Sequence, residues 1–205
     1  MEPQLTTEIS DENCIIVGSL NSKYIKQLIQ KEKLEKKQLQ GKNEKYIITT
    51  VDAPFNGVKK ALVIAGSDRR GTIYGIYELS KQLGVSPWYW WMDVPVVKRA
   101  EAYILPGIYT DGEPAVKYRG IFLNDEAPCL TSWVKQYYGT DFGDHRFYAQ
   151  VCELILRLKG NFLWPAMWGW AFYADDSLNS KTADEMGVII GTSHHEPMAR
   201  NHQEW

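Results

Sequence analysis

Three short stretches of this 205-residue chain bring together side chains able to handle a polar ring: Asn124-Asp125-Glu126, Trp164-Pro165-Ala166-Met167-Trp168-Gly169 and Thr192-Ser193-His194-His195-Glu196-Pro197. Each follows an apolar, β-type run, respectively KYRGIFL (117–123), NFL (161–163) and VIIG (188–191). In parallel α/β architectures ligands meet the carboxyl ends of strands, so residues just beyond such runs are site candidates. Carboxylates and amides bind hydroxyls, indoles stack on the CH-rich faces of pyranoses, and histidines donate toward anionic groups. Taken singly, each residue has a plainer role as a cap or loop hydrogen bond. Three concordant strand ends favour a sugar-type site.

Other chemistries fit the same residues less well. An inverting glycosidase needs two carboxyls roughly 6.5–9.5 Å apart around a water, whereas neighbours on an extended strand point to opposite faces. Asp125 and Glu126 are therefore not that pair, although a single carboxyl near an apolar strand end can have its pKa raised toward neutrality. A helical zinc-protease motif needs a second His four residues after the first, but Ala199 stands where His195 would require it, and the inverted motif is absent too. No metal is expected. The turn Gly66-Ser67-Asp68-Arg69-Arg70-Gly71-Thr72 lacks both the Gly-Lys-Ser/Thr ending of a phosphate loop and the G-x-G-x-x-G spacing, so Ser67 or Asp68 is expected to cap a helix.

Composition sets the frame. Hydrophobic residues make up 44% and charged residues 23%, near the averages for globular domains and against disorder. A net charge of −2 gives no global attraction to nucleic acid or anionic lipid, and the Lys-rich run from Ser22 to Lys45 reads as a solvated face. No apolar stretch approaches the roughly 18–20 residues of a membrane-spanning helix, and Met1-Glu2-Pro3-Gln4 does not open a secretory signal. Cys14, Cys129 and Cys152 form no C-x-x-C pair and read as free thiols. Eight Trp is a high count, and six fall in or near two clusters: Trp88, Trp90 and Trp91, then Trp164, Trp168 and Trp170.

The elements that must position these residues follow from periodicity. Cys14–Gly18 reads as a strand, and Ser22 starts a helix with Tyr24, Ile25, Leu28 and Ile29 at helical spacing. EKYIITTV (44–51) and ALVIAG (61–66), joined through Pro54-Phe55-Asn56-Gly57, read as a hairpin. A helix from about Ser67 to Leu83 presents Ile73, Ile76, Tyr77, Leu79 and Ser80, with Gly84 as its C-terminal stop. The order β, α, β, β, α predicts a small α/β domain, a sheet with helices on one face. Residues 86–112 are rich in breakers and read as a connector packed by tryptophans.

From Val116 the pattern becomes strand (117–123, buried), helix (147–158), strand (161–164), short helix (182–186), strand (188–192), and another helix from Glu196. That order predicts a parallel sheet, either doubly wound or a barrel. A complete barrel takes about 250 residues, so the expectation is a truncated one. The predicted division is 1–111 for the N-terminal α/β domain with its connector and 112–205 for the first βα units of a TIM barrel.

The segments GSDRRGTIYGIYELSKQLGVSPWYWWMDVPV (66–96), VKYRGIFLNDEAP (116–128), LRLKGNFLWPAMWGWAF (156–172) and ADEMGVIIGTSHHEPMARNHQEW (183–205) closely resemble glycoside hydrolase family 115. The resemblance implies an α-glucuronidase that removes glucuronic acid or its 4-O-methyl ether from xylan, cleaving the α-1,2 linkage with inversion and using no metal or organic cofactor. It further implies a multidomain parent with an α/β domain, a TIM barrel, and helical and β-sandwich domains. By motif position, Asn124 and Asp125 correspond to residues that contact the uronic acid, and Trp164 and Trp168 to the pocket wall. His194, His195 and Glu196 lie at the third strand end. The catalytic carboxylates are expected on later barrel strands, beyond Trp205. The expected partner is a polysaccharide, with no nucleic acid and no membrane; the full-length parent is expected to be a homodimer, secreted or periplasmic. A rival of another class is a non-catalytic sugar-binding module using Trp164, Trp168 and Trp170 as a platform. A nucleotide-binding α/β protein would rest only on the first βα units and the Gly66–Thr72 turn.

Overall fold

The computed structural model describes residues 5–9 and 13–191. It divides into two compact units: the described residues up to Val85 with Val96–Ala115, and Ser86–Pro95 with the described residues from Val116 onward.

The first unit holds β1 (Asn13–Ser19), α1 (Lys23–Gln30), β2 (Tyr46–Asp52), β3 (Lys60–Gly66), α2 (Arg69–Gln82) and β4 (Ile108–Tyr109) in a sheet of order β1-β3-β2-β4. β1 runs parallel to β3, whereas β2 pairs antiparallel with both β3 and β4. The expected hairpin is therefore present, and the segment read as connector adds a short edge strand.

Side chains alternate across a strand, and that alternation places the helices. Ile47 and Val51 of β2 and Ala61, Val63 and Ala65 of β3 cluster with Ile25 and Leu28 of α1. The other face carries Tyr46 and Ile64, against which Gly75 of α2 packs: an added Cβ there would lie 2.6 Å from Ile64 Cγ2. The two helices thus cover opposite faces, correcting the expected one-sided layer. The run ALVIAG signals this, because a strand covered on both faces is apolar throughout. The inward face of α2 also differs from expectation. Gly71, Tyr74 and Gly75 are buried while Ile76 is 41% exposed, because the two glycines let the helix backbone approach the sheet.

Helix starts show which cap predictions hold. Asp68 caps α2, its Oδ1 accepting from Gly71 N at 2.8 Å and its Oδ2 from Glu44 N at 2.7 Å; Ser67 Oγ accepts from Lys45 N at 3.0 Å. A carboxylate therefore fills the place a phosphate would need. Ser22 stands at the N-cap of α1, but its hydroxyl donates back to the Ser19 carbonyl and makes no cap bond to the helix.

The second unit contains β5 (Gly120–Leu123), α3 (Cys129–Tyr138), α4 (His145–Arg157), β6 (Phe162–Pro165), α5 (Phe172–Asp175), α6 (Leu178–Met186) and β7 (Ile189–Ile190). Its sheet has the order β5-β6-β7 and is parallel throughout, with Phe122 opposite Trp164 and Phe162 opposite Ile189. α4, capped by Asp144, buries Phe147, Tyr148, Val151, Cys152, Leu154, Ile155 and Leu156. The register at the amino end is fixed by Asn161, 1% exposed, whose Oδ1 accepts from Arg119 N at 2.9 Å and whose Nδ2 donates to the Lys117 carbonyl at 2.7 Å. Trp90 and Trp91 pack on Trp133 of α3, and Trp91 also on Phe147 of α4.

One expectation fails here. β5, at the edge of this sheet, is not buried: Ile121 and Phe122 are 37% and 45% exposed, because little packs over these side chains on the sheet faces. Among the described residues no helix is long and apolar enough to cross a membrane.

Candidate functional site

The parallel register carries the carboxyl ends of β5, β6 and β7 to one edge of the sheet. Pairing continues past the formal strand ends, with Ala166 N donating to the Leu123 carbonyl at 2.9 Å and Gly191 N to the Leu163 carbonyl at 2.7 Å. Trp164, 37% exposed, projects between its neighbours. Its ring lies 5.6 Å from that of Phe122 at 89°, and a Cβ at Gly191 would come within 3.3 Å of its Cγ. Gly191 leaves the space the indole occupies.

Asn124 and Asp125 leave the end of β5 with different fates. Asn124 is exposed, and its Oδ1 accepts from Glu126 N at 3.1 Å, closing a local turn. Asp125 is 2% exposed and accepts three consecutive backbone N–H groups: Oδ1 from Trp168 at 3.2 Å and Gly169 at 3.1 Å, Oδ2 from Trp170 at 2.9 Å. Consecutive amides converging on an anion form a nest, and such charge-assisted bonds contribute roughly 1.5–3 kcal/mol each. The nest follows Met167, whose φ of 55° is a left-handed conformation that non-glycine residues adopt at a cost. The result is a fixed loop from which Trp168 stands 46% exposed while Trp170 is buried at 3%.

At the end of this loop sits a half-buried acidic group that sequence reasoning missed. Asp175 accepts from Ala171 N at 2.6 Å; burial raises its pKa, and the charge of Asp125 adds to the rise. The Tyr148 hydroxyl is pushed well above its ordinary value by burial, then by Asp125 and Asp175. The signal available was the pair Asp175-Asp176 just past the tryptophan loop. Asp176 behaves oppositely: the His145 backbone N–H and ring, 3.0 and 2.7 Å away, and Leu178 N hold its carboxyl down to about 2.

The structure thus brings Asn124, Asp125, Trp164 and Trp168 to one end of the sheet. Asp125 turns into the protein, and the two indoles and Asn124 remain exposed. His194, His195 and Glu196 lie outside the described residues, as does the helix expected from Glu196. Among the described residues no group of three or more His, Cys, Asp and Glu side chains could hold a metal ion.

Residues 111–205 match the family model for glycosyl hydrolase family 115. A solved structure described as a novel family GH115 4-O-methyl-alpha-glucuronidase, BtGH115A, with specificity for decorated arabinogalactans, is similar at 34% identity and a TM-score of 0.74. The similarity covers 88% of this chain and 23% of that one, so the chain spans under a quarter of the length of the protein it matches. None of the curated proteins matches.

Proposed function

Because the segment 111–205 belongs to glycosyl hydrolase family 115, we propose that the protein to which this chain contributes is a glycoside hydrolase that releases glucuronic acid or its 4-O-methyl ether from a decorated polysaccharide. Glucuronoxylan is the first substrate in this reading and a decorated arabinogalactan the second, the latter following the specificity attributed to the similar structure. The observation that carries the reading is the gathering of Asn124, Trp164 and Trp168 at the carboxyl ends of adjacent parallel strands, inside the segment that matches the family. Indole faces stack on the apolar side of a pyranose, and an amide serves its hydroxyls.

In this reading the β5-β6-β7 sheet opens a (β/α)8 barrel, cleavage is at an α-1,2 linkage with inversion, and the acid and base come from further strands. Sequential, parallel strands connected through helices support the barrel. His194, His195 and Glu196 are proposed as substrate-binding residues of the third strand end, the histidines as donors toward an anionic group. The second reading, a non-catalytic carbohydrate-binding module, is favoured by the same exposed indoles and by the engagement of Asp125 with the backbone. The deciding experiment expresses the complete reading frame and analyses products from glucuronoxylan and decorated arabinogalactan. Released (4-O-methyl-)glucuronic acid supports the hydrolase; saturable binding without release assigns the module.

A further inference from the structure

We propose that Asp125 is a positioning residue, which sets substrate affinity by holding the Trp168 indole in place and makes no contact with the sugar itself. The proposal rests on the reading of this sheet end as a sugar site. Three observations support it. The carboxylate is 2% exposed, so a ligand cannot reach it without displacing the loop. Its two oxygens take the N–H groups of Trp168, Gly169 and Trp170 in succession, which fixes the backbone on both sides of the exposed indole. The left-handed Met167 immediately before would relax toward an ordinary conformation if that anion were lost. The Asp125 main chain is held in turn, its carbonyl accepting from Thr131 Oγ1 at 2.8 Å. The anchor therefore reaches from β5 through α3 to the loop after β6, where the Trp168 indole stands exposed.

A contact residue and a positioning residue differ in how they combine with Trp168. If Asp125 works through the indole, its loss costs nothing further once the indole is gone. If it touched the sugar independently, the two losses would multiply.

The test uses the full-length enzyme and compares Asp125→Asn, Trp168→Ala and the double variant by KM and kcat for uronic acid release. Asp125→Asn keeps one acceptor oxygen but sets an NH2 group against the loop donors. Disturbing one charge-assisted bond raises KM about tenfold, with kcat changed less than about threefold, since the chemistry is untouched. Trp168→Ala raises KM to a similar degree, and the double variant equals Trp168→Ala alone. A double variant about a hundredfold worse in KM, the product of two tenfold effects, overturns the proposal. An unchanged KM in Trp168→Ala sinks the underlying site reading instead. Should Asp125→Asn not fold, Gly169→Ala replaces it. Its added Cβ would meet the Asp125 carbonyl oxygen at 3.2 Å, shifting the loop while leaving the carboxylate intact. The same non-additivity with Trp168→Ala supports the proposal, and a Gly169→Ala enzyme with wild-type KM overturns it.

Discussion

At the scale of single residues, ionisation is set by backbone donors and by burial, and both are measurable. Asp176 has its folded pKa pulled to about 2 by His145 and Leu178, below an unfolded value of about 3.9. Its stabilising contribution is complete above the unfolded value and is lost as pH falls through about 2. Asp176→Asn should therefore lower the urea midpoint at pH 6, and the difference from wild type should shrink toward pH 2; a pH-independent difference would refute the assignment. Thiols divide similarly. Burial pushes the Cys152 thiol up to about 12, whereas Cys129 is exposed. A disulfide reagent at pH 8 should modify Cys129 rapidly in the native protein and Cys152 only on unfolding. Asp125 shows how far the sequence reaches at this scale. Its place after an apolar strand marks it as a site carboxylate, but its partners lie 43 to 45 residues away along the chain, and no local pattern reports them.

Among elements, those with a clean period were legible and those defined by contact were not. The hairpin, α4 and β6 follow from alternation or helical spacing. α3 went unseen because Pro128 occupies its N-cap and no side chain caps it, leaving only the mixed run CLTSWVKQYY. The face of α2 was misread because glycines, which carry no hydrophobic signal, lie inward. That close approach gives a prediction: Gly75→Ala forces a Cβ to within 2.6 Å of Ile64 Cγ2. Overpacking of this kind costs about 1–3 kcal/mol, readable as a lowered midpoint in chemical denaturation with an unchanged slope.

For the molecule as a whole, the β5-β6-β7 sheet decides behaviour. Parallel sheets are ordinarily covered on both faces, yet Phe122 and Trp164, cross-strand neighbours on one face, are 45% and 37% exposed, and Tyr118 nearby is 54% exposed. Produced as this sequence alone, the protein should bind a hydrophobic dye and self-associate with rising concentration, and Phe122→Ser should reduce both. A monodisperse monomer without dye binding would show that the face is not sticky. Motif order carries the family resemblance, which periodicity does not read: alternation alone leaves an open sheet and a barrel as alternatives.

The proposed sugar site at the carboxyl ends of these strands is tested most directly by a crystal structure of the full-length protein with glucuronic acid. The predicted result is a uronate ring stacked on Trp164 or Trp168, with the Asn124 amide within hydrogen-bonding distance and Asp125 still bound to the loop backbone. A ring bound elsewhere, with Asn124, Trp164 and Trp168 on separate surfaces, would contradict it.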